Sequence, residues 1–136
     1  MFGSENVKNI KLDIDADPGA TDKYFYLLKA PREITVLAAH MVSRQTQNAG
    51  TAVKLRIENW GTAGTTVGGT VCAYVGGTAT ASVLTANTPA AATIDTARDN
   101  VTAGQWLVAH YAEEGVGWIS GDYFSLHIQY VDGLGA

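Results

Sequence analysis

Residues 122–132 read DYFSLHIQYVD. Phe124, Leu126, Ile128 and Tyr130 fall on alternate positions, with Ser125, His127 and Gln129 between them. A β-strand sends successive side chains to opposite faces, whereas a helix returns to the same face every three to four residues. The spacing therefore predicts a strand with one apolar and one polar face. The same period recurs where Ile10, Leu12 and Ile14 alternate with Lys11, Asp13 and Asp15. It appears again in AVKLRIENW (52–60), where Val53, Leu55 and Ile57 oppose Lys54, Arg56 and Glu58. KYFYLLK (23–29), ITVLAAHMV (34–42), TVCAYV (70–75), ATASVLT (79–85), ATIDT (92–96) and QWLVAHYA (105–112) are short runs that also read as strands. EITVLAAHMVSRQ passes as a helix on propensity, but its β-branched and aromatic neighbours favour strand. Pro18-Gly19, Gly76-Gly77 and Ala103-Gly104 supply turns between the runs. The pattern predicts an all-β protein, an antiparallel jelly roll or β-sandwich of about eight strands.

A chain of 136 residues that is 46% apolar and 16% charged has the composition of one folded domain with its own core. The net charge is −4 and the basic residues form no run, which argues against nucleic acid or an anionic membrane as partner. Cys72 is alone, so neither an intrachain disulfide nor a cysteine-based zinc site is expected. The start, MFGSENVKNIKLDID, lacks the basic and apolar regions of a signal peptide, and no window is apolar enough to span a bilayer. The expectation is a protein made in a cytoplasm and not exported by the general secretory route, divided into residues 1–15, an N-terminal arm or first strand, and a jelly-roll domain over 16–136.

Residues 59–94 carry no charge at all. The stretch is rich in Gly, Thr and Ala, which suits hairpins with a threonine-covered outer face. It also suits a surface packed on another chain, because charges are depleted at interface cores and uncharged edge strands invite pairing.

Chemistry is sparse. His40, His110 and His127 show no HxH or HExxH spacing, and no metal site is expected from them. Ser120 in WISGD lacks the GxSxG elbow. Glu113-Glu114 fall in an expected turn, where solvated charges are usual. Gly61, Gly64, Gly68 and Gly69 match no phosphate-binding loop. Asp13, Asp15 and Asp17 lack the rest of a calcium loop and read as a solvated strand face. The expectation is a non-enzyme without cofactor or metal. Trp60, Tyr111 and Trp118 are candidates for a glycan platform if they share an exposed face, since the apolar side of a sugar packs on aromatic rings. Tryptophans at strand ends also close sandwich cores.

The segment VTAGQWLVAHYAEEGVGWISGDYFSLHIQYVDG (101–133) resembles small jelly-roll proteins encoded among the head genes of tailed bacteriophages. APREITVLAAHMVS, the Gly/Thr region and GGTATASVLTANTPAAATI precede it in a similar order, so the likeness spans roughly 23–133. The Ala-Gly turn followed by a strand also looks like the trimeric jelly rolls of the tumour-necrosis-factor and C1q type. The phage resemblance implies a virion structural protein on the capsid exterior, a homotrimer that decorates and cements the major capsid protein. No individual functional residue is carried over by it. Within that expectation residues 1–15 are the candidate capsid-contact arm, with Val7, Ile10, Leu12 and Ile14 adding to another chain's sheet edge. The alternative is a carbohydrate- or receptor-binding β-sandwich module of a phage fibre or tail.

Overall fold

The computed structural model describes residues 7–14, 23–45, 53–65, 69–75, 85–113 and 123–133. Among them are ten strands and no helix: β1 (Val7–Ile14), β2 (Lys23–Lys29), β3 (Ile34–Ser43), β4 (Val53–Asn59), β5 (Thr70–Val75), β6 (Ala90–Ala91), β7 (Thr93–Ile94), β8 (Asn100–Val101), β9 (Trp106–Glu113) and β10 (Phe124–Asp132). The Pro18-Gly19 and Gly76-Gly77 turns, nearly all of the 79–85 strand, Asp15, Asp17, Glu114, Trp118 and Ser120 lie outside the described residues.

The strands form two antiparallel sheets. The first has the order β1-β10-β3-β6, with β8 also on β3; the second runs β2-β9-β4-β5-β7. Val7 faces Val131, Lys23 faces Tyr111 and Ile34 faces Val101. The chain therefore doubles back as one long ribbon, and further pairing of β3 with β10 and β4 with β9 rolls that ribbon up. This is the all-β jelly roll expected from the strand period.

The core lies between the sheets. Ile34, Val36, Ala39, Met41, Phe124, Leu126 and Ile128 enter it from the first sheet, and Leu55, Ile57, Ala73, Val75, Leu107, Ala109 and Tyr111 from the second. The alternation inferred for β10 and β4 holds on their inward faces. In β3 it switches phase: Ile34 and Val36 point in, then Ala39 and Met41, because the pairing with β10 skips Leu37. A bulge inserts one residue and reverses the side that follows. It leaves Leu37 40% exposed on the outside.

Of the two readings of the N-terminal residues, arm or first strand, the described part is a strand of the sandwich. Val7, Ile10, Leu12 and Ile14 belong to β1, which pairs along its whole length with β10 of its own sheet. Ile14 is buried, and Ile10 and Leu12 pack against the core. A strand whose apolar face is already covered by its own sandwich is the lower-energy use of this pattern. The uncharged-edge argument changes too. β5 is an interior strand between β4 and β7. The strands with an unpaired edge among the described residues include β1 and β2, which carry Lys8, Lys11, Asp13, Lys23 and Lys29, residues that discourage edge-to-edge association. Within residues 70–75, Cys72, Ala73 and Val75 are buried by the chain itself.

Cys72 lies fully buried beside the β4–β5 bulge. Burial, reinforced by the Asp99 carboxylate, pushes its thiol up to about 12. Since the thiolate is the reactive species, the folded protein should resist alkylation by iodoacetamide at pH 8, and labelling should appear only with denaturant. Rapid stoichiometric labelling of the native protein contradicts this packing.

Candidate functional site

The outer face of the second sheet carries a second layer of side chains. β9 shows why: Leu107, Ala109 and Tyr111 point into the core, yet Val108 and His110 on the opposite side are also buried. Tyr24 of β2 and Arg56 of β4 stand directly opposite His110, and Tyr26 and Glu58 opposite Val108. Directly paired residues share a face, so these side chains all project outward with Trp106.

Glu58 is the centre of this layer and is completely buried. The sequence places it on the polar face of β4 with Lys54 and Arg56, and at Glu58 that face is covered. The chain leaves β4 at Trp60, whose backbone N–H donates to the Trp106 carbonyl oxygen, and the indole folds back over the sheet. Trp60 Nε1 donates to Glu58 Oε1 at 2.9 Å, and His110 Nδ1 lies 3.2 Å from Glu58 Oε2. A buried carboxylate is tolerable when its oxygens are hydrogen-bonded in this way. Tyr24 packs on both partners, its ring centroid 4.6 Å from His110 and 5.0 Å from Trp60. This arrangement holds the imidazole between a carboxylate and a phenol ring with 7% of the residue exposed. It is built to fix ring positions.

Tyr26 continues the layer outward. It is 56% exposed, yet its hydroxyl donates to the Gly64 carbonyl oxygen at 2.6 Å. Its ring meets Trp60 at 5.8 Å and Trp106 at 5.3 Å, both edge to face. The 61–65 turn packs against Trp106, and an open cleft of about 240 Å³ lies between Tyr26, Ala63, Gly64, Thr65 and Trp106. Gly64 has φ +66°, and a Cβ there would sit 2.5 Å from Trp106 Cδ1. Gly64→Ala therefore combines a left-handed backbone with a steric clash, and should cost about 1–3 kcal/mol. A lowered melting temperature with altered tryptophan fluorescence is the expected readout. An unchanged melt shows that the turn relaxes freely.

The expected glycan platform is not assembled as the sequence suggested. Tyr111 is fully buried on the core side, 5.7 Å from Phe124, while Trp60 is buried on the opposite side of the same sheet. Strand parity separates them, and Trp118 lies outside the described residues. The aromatic group that does assemble is Tyr24, Tyr26, Trp60 and Trp106. The signal for it was in QWLVAHYA, whose two faces are both apolar.

On the outer face of the first sheet, His127 pairs directly with His40 and with Lys11 on its other side. Ser125 Oγ lies 3.0 Å from His127 Nε2. Asp13 is exposed beside Lys11, and Arg44 lies over the Tyr123 ring. No group of three metal-ligating side chains occurs among the described residues.

No protein-family model matches the chain, and no curated protein matches it. Solved structures do. One is a chain of the cyanophage Pam1 capsid asymmetric unit, 18% identical, with a TM-score of 0.54, covering 94% of this chain and 86% of that one. Another comes from Bacillus endospore appendages described as disulfide-linked pili, 14% identical with a TM-score of 0.45, covering 94% of this chain and 90% of that one. A third belongs to infectious bursal disease virus, Gt strain, 16% identical with a TM-score of 0.40, covering 93% of this chain and 31% of that one. The last two are too distant to argue from. The cyanophage chain shares the fold of this one, and at this identity the likeness extends to the fold alone.

Proposed function

We propose that this chain is a virion structural protein that decorates the outside of a phage head and cements the major capsid lattice. It does so as a homotrimer and performs no chemistry. The observation that carries this reading is the fold shared over 94% of the chain with a protein of the cyanophage Pam1 capsid. The resemblance of residues 101–133 to head-gene jelly rolls supports it. The Glu58–His110 pair does not argue for an enzyme, since the Tyr24 ring packs at a tilt against the imidazole and Glu58 is sealed from solvent.

Physically, a ligand that binds only the assembled lattice stabilises it by its binding term, about 2.7 kcal/mol per site at a hundredfold excess over the dissociation constant. A trimer engaging several sites at once gains avidity without new contacts. Phage heads stripped of the protein should lose their DNA at a lower temperature, and adding the purified protein back should restore them. Light scattering should give the mass of three chains. Stripped and decorated heads that release DNA at the same temperature would rule the cement role out.

A further inference from the structure

The geometry points to the cleft between Tyr26, Trp106 and the 61–65 turn as a binding site for a single saccharide ring. This site is independent of the capsid reading and uses neither Tyr111 nor Trp118.

Three features argue for it. The first is a rigid aromatic wall. Tyr26 is exposed, but its ring is held by the Gly64 carbonyl oxygen at one end and by Trp60 and Trp106 at its edges. Beneath it, Trp60 is fixed by the buried Glu58 carboxylate. An exposed tyrosine that only covered the sheet would need no such support, whereas a stacking surface gains from being held in place before the ligand arrives. The second is size. About 240 Å³ lies below the range for drug-sized ligands and accommodates one ring. The third is the polar rim. Trp106 Nε1 has no acceptor among the described residues, in contrast to Trp60 Nε1. The Tyr26 oxygen keeps accepting capacity after donating its proton, and Thr65 stands exposed at the edge. A sugar presents C–H groups to the rings and hydroxyls to these atoms at once. An aliphatic side chain from a partner protein fills the same volume but offers Trp106 Nε1 no acceptor, which costs affinity when the site is desolvated. Lys29, outside the cleft lining, has Nζ 5.9 Å from the Trp106 ring centroid and adds a positive charge beside that wall. It favours a ring bearing a carboxylate over a neutral one.

The test uses the intact protein with glucose, N-acetylglucosamine and glucuronic acid as probes, observed through the tryptophan indole N–H signals in NMR. The expected result is saturable movement of the Trp106 indole signal with a dissociation constant on the order of millimolar. Glucuronic acid should bind most tightly, and its advantage should shrink with salt. Tyr26→Ala, at an exposed position, should weaken binding roughly tenfold. Trp106→Phe keeps the ring but removes the donor; followed through Tyr26 ring signals, it should also weaken binding. Leu37→Ala, on the other sheet, should leave binding unchanged. The proposal is overturned if none of the three sugars moves the Trp106 signal at concentrations on the order of 100 mM. It is equally overturned if binding persists undiminished in both site variants. The same holds if N-acetyl-leucinamide moves the signal while the sugars do not, which would make the cleft a contact for a protein side chain.

Discussion

Deleting residues 7–14 should prevent folding and not merely release a tether. β1 forms one edge of the first sheet and pairs with β10 from Val7–Val131 to Ile14–Phe124. Ile14 is 4% exposed, and Ile10 and Leu12 pack against the same core. Burying a side chain of this kind contributes about 1.5–3 kcal/mol. The three together, with two of them half-buried, are worth roughly 3–6 kcal/mol before the ladder is counted. Total stability for a domain is about 5–15 kcal/mol, so the loss consumes much or all of it. The deletion also uncovers the edge of β10, a strand carrying Phe124, Leu126 and Ile128, which is the kind of edge that aggregates. The expected product is insoluble, or soluble without a cooperative thermal transition. A synthetic peptide of residues 7–14 added during refolding should rescue it, because the vacant edge accepts a strand in trans. A truncated chain that stays soluble with an unchanged melting temperature would return β1 to the role of a dispensable arm.

Much of this architecture was legible because its signals are local. The alternation at Ile10, Leu12 and Ile14, at Leu55 and Ile57, and along β10 comes from the pleat, and a half-buried sheet preserves it. The two-residue strands β6, β7 and β8 are too short to show a period, and only β7 fell inside an expected strand. Bulges were invisible. Nothing in ITVLAAHMV shows that Leu37 is passed over in the ladder, because register depends on the partner strand. The candidate site was hidden for a further reason. Glu58 follows Lys54 and Arg56 at the same parity, which is the pattern of a solvated face. Only the fold-back of Trp60 onto the sheet, tied to Trp106 from a strand 46 residues further on, makes it a buried one. Sequence parity assigns a residue to a face, and tertiary structure decides whether that face is covered.

Glu58→Ala should therefore destabilise the protein far more than removal of a surface charge. The side chain is completely buried and accepts from Trp60 Nε1, with His110 Nδ1 at 3.2 Å. Truncation leaves two buried polar groups without their partner and a cavity where the carboxylate stood. Leaving buried polar groups without their partner costs about 1–3 kcal/mol each, and with the cavity left behind the loss is roughly 3–5 kcal/mol. For a chain of this length that corresponds to a fall in melting temperature of roughly 10–15 °C. By comparison, removing the exposed Lys11–Asp13 pair, 3.7 Å apart, should cost less than about 1 kcal/mol. Glu58→Gln offers a graded control. Its amide oxygen still accepts from Trp60, while its amide nitrogen now faces the imidazole, which must present a lone pair at Nδ1 to pair with it. Its loss should be intermediate between wild type and Glu58→Ala. The near-ultraviolet circular dichroism of the tryptophans should weaken in the same order, since Trp60 and Tyr24 lose their anchor together. If Glu58→Ala melts within about 2 °C of wild type, the energy difference is under about 1 kcal/mol. The second aromatic layer would then be held by ring packing alone, with the buried carboxylate an incidental passenger.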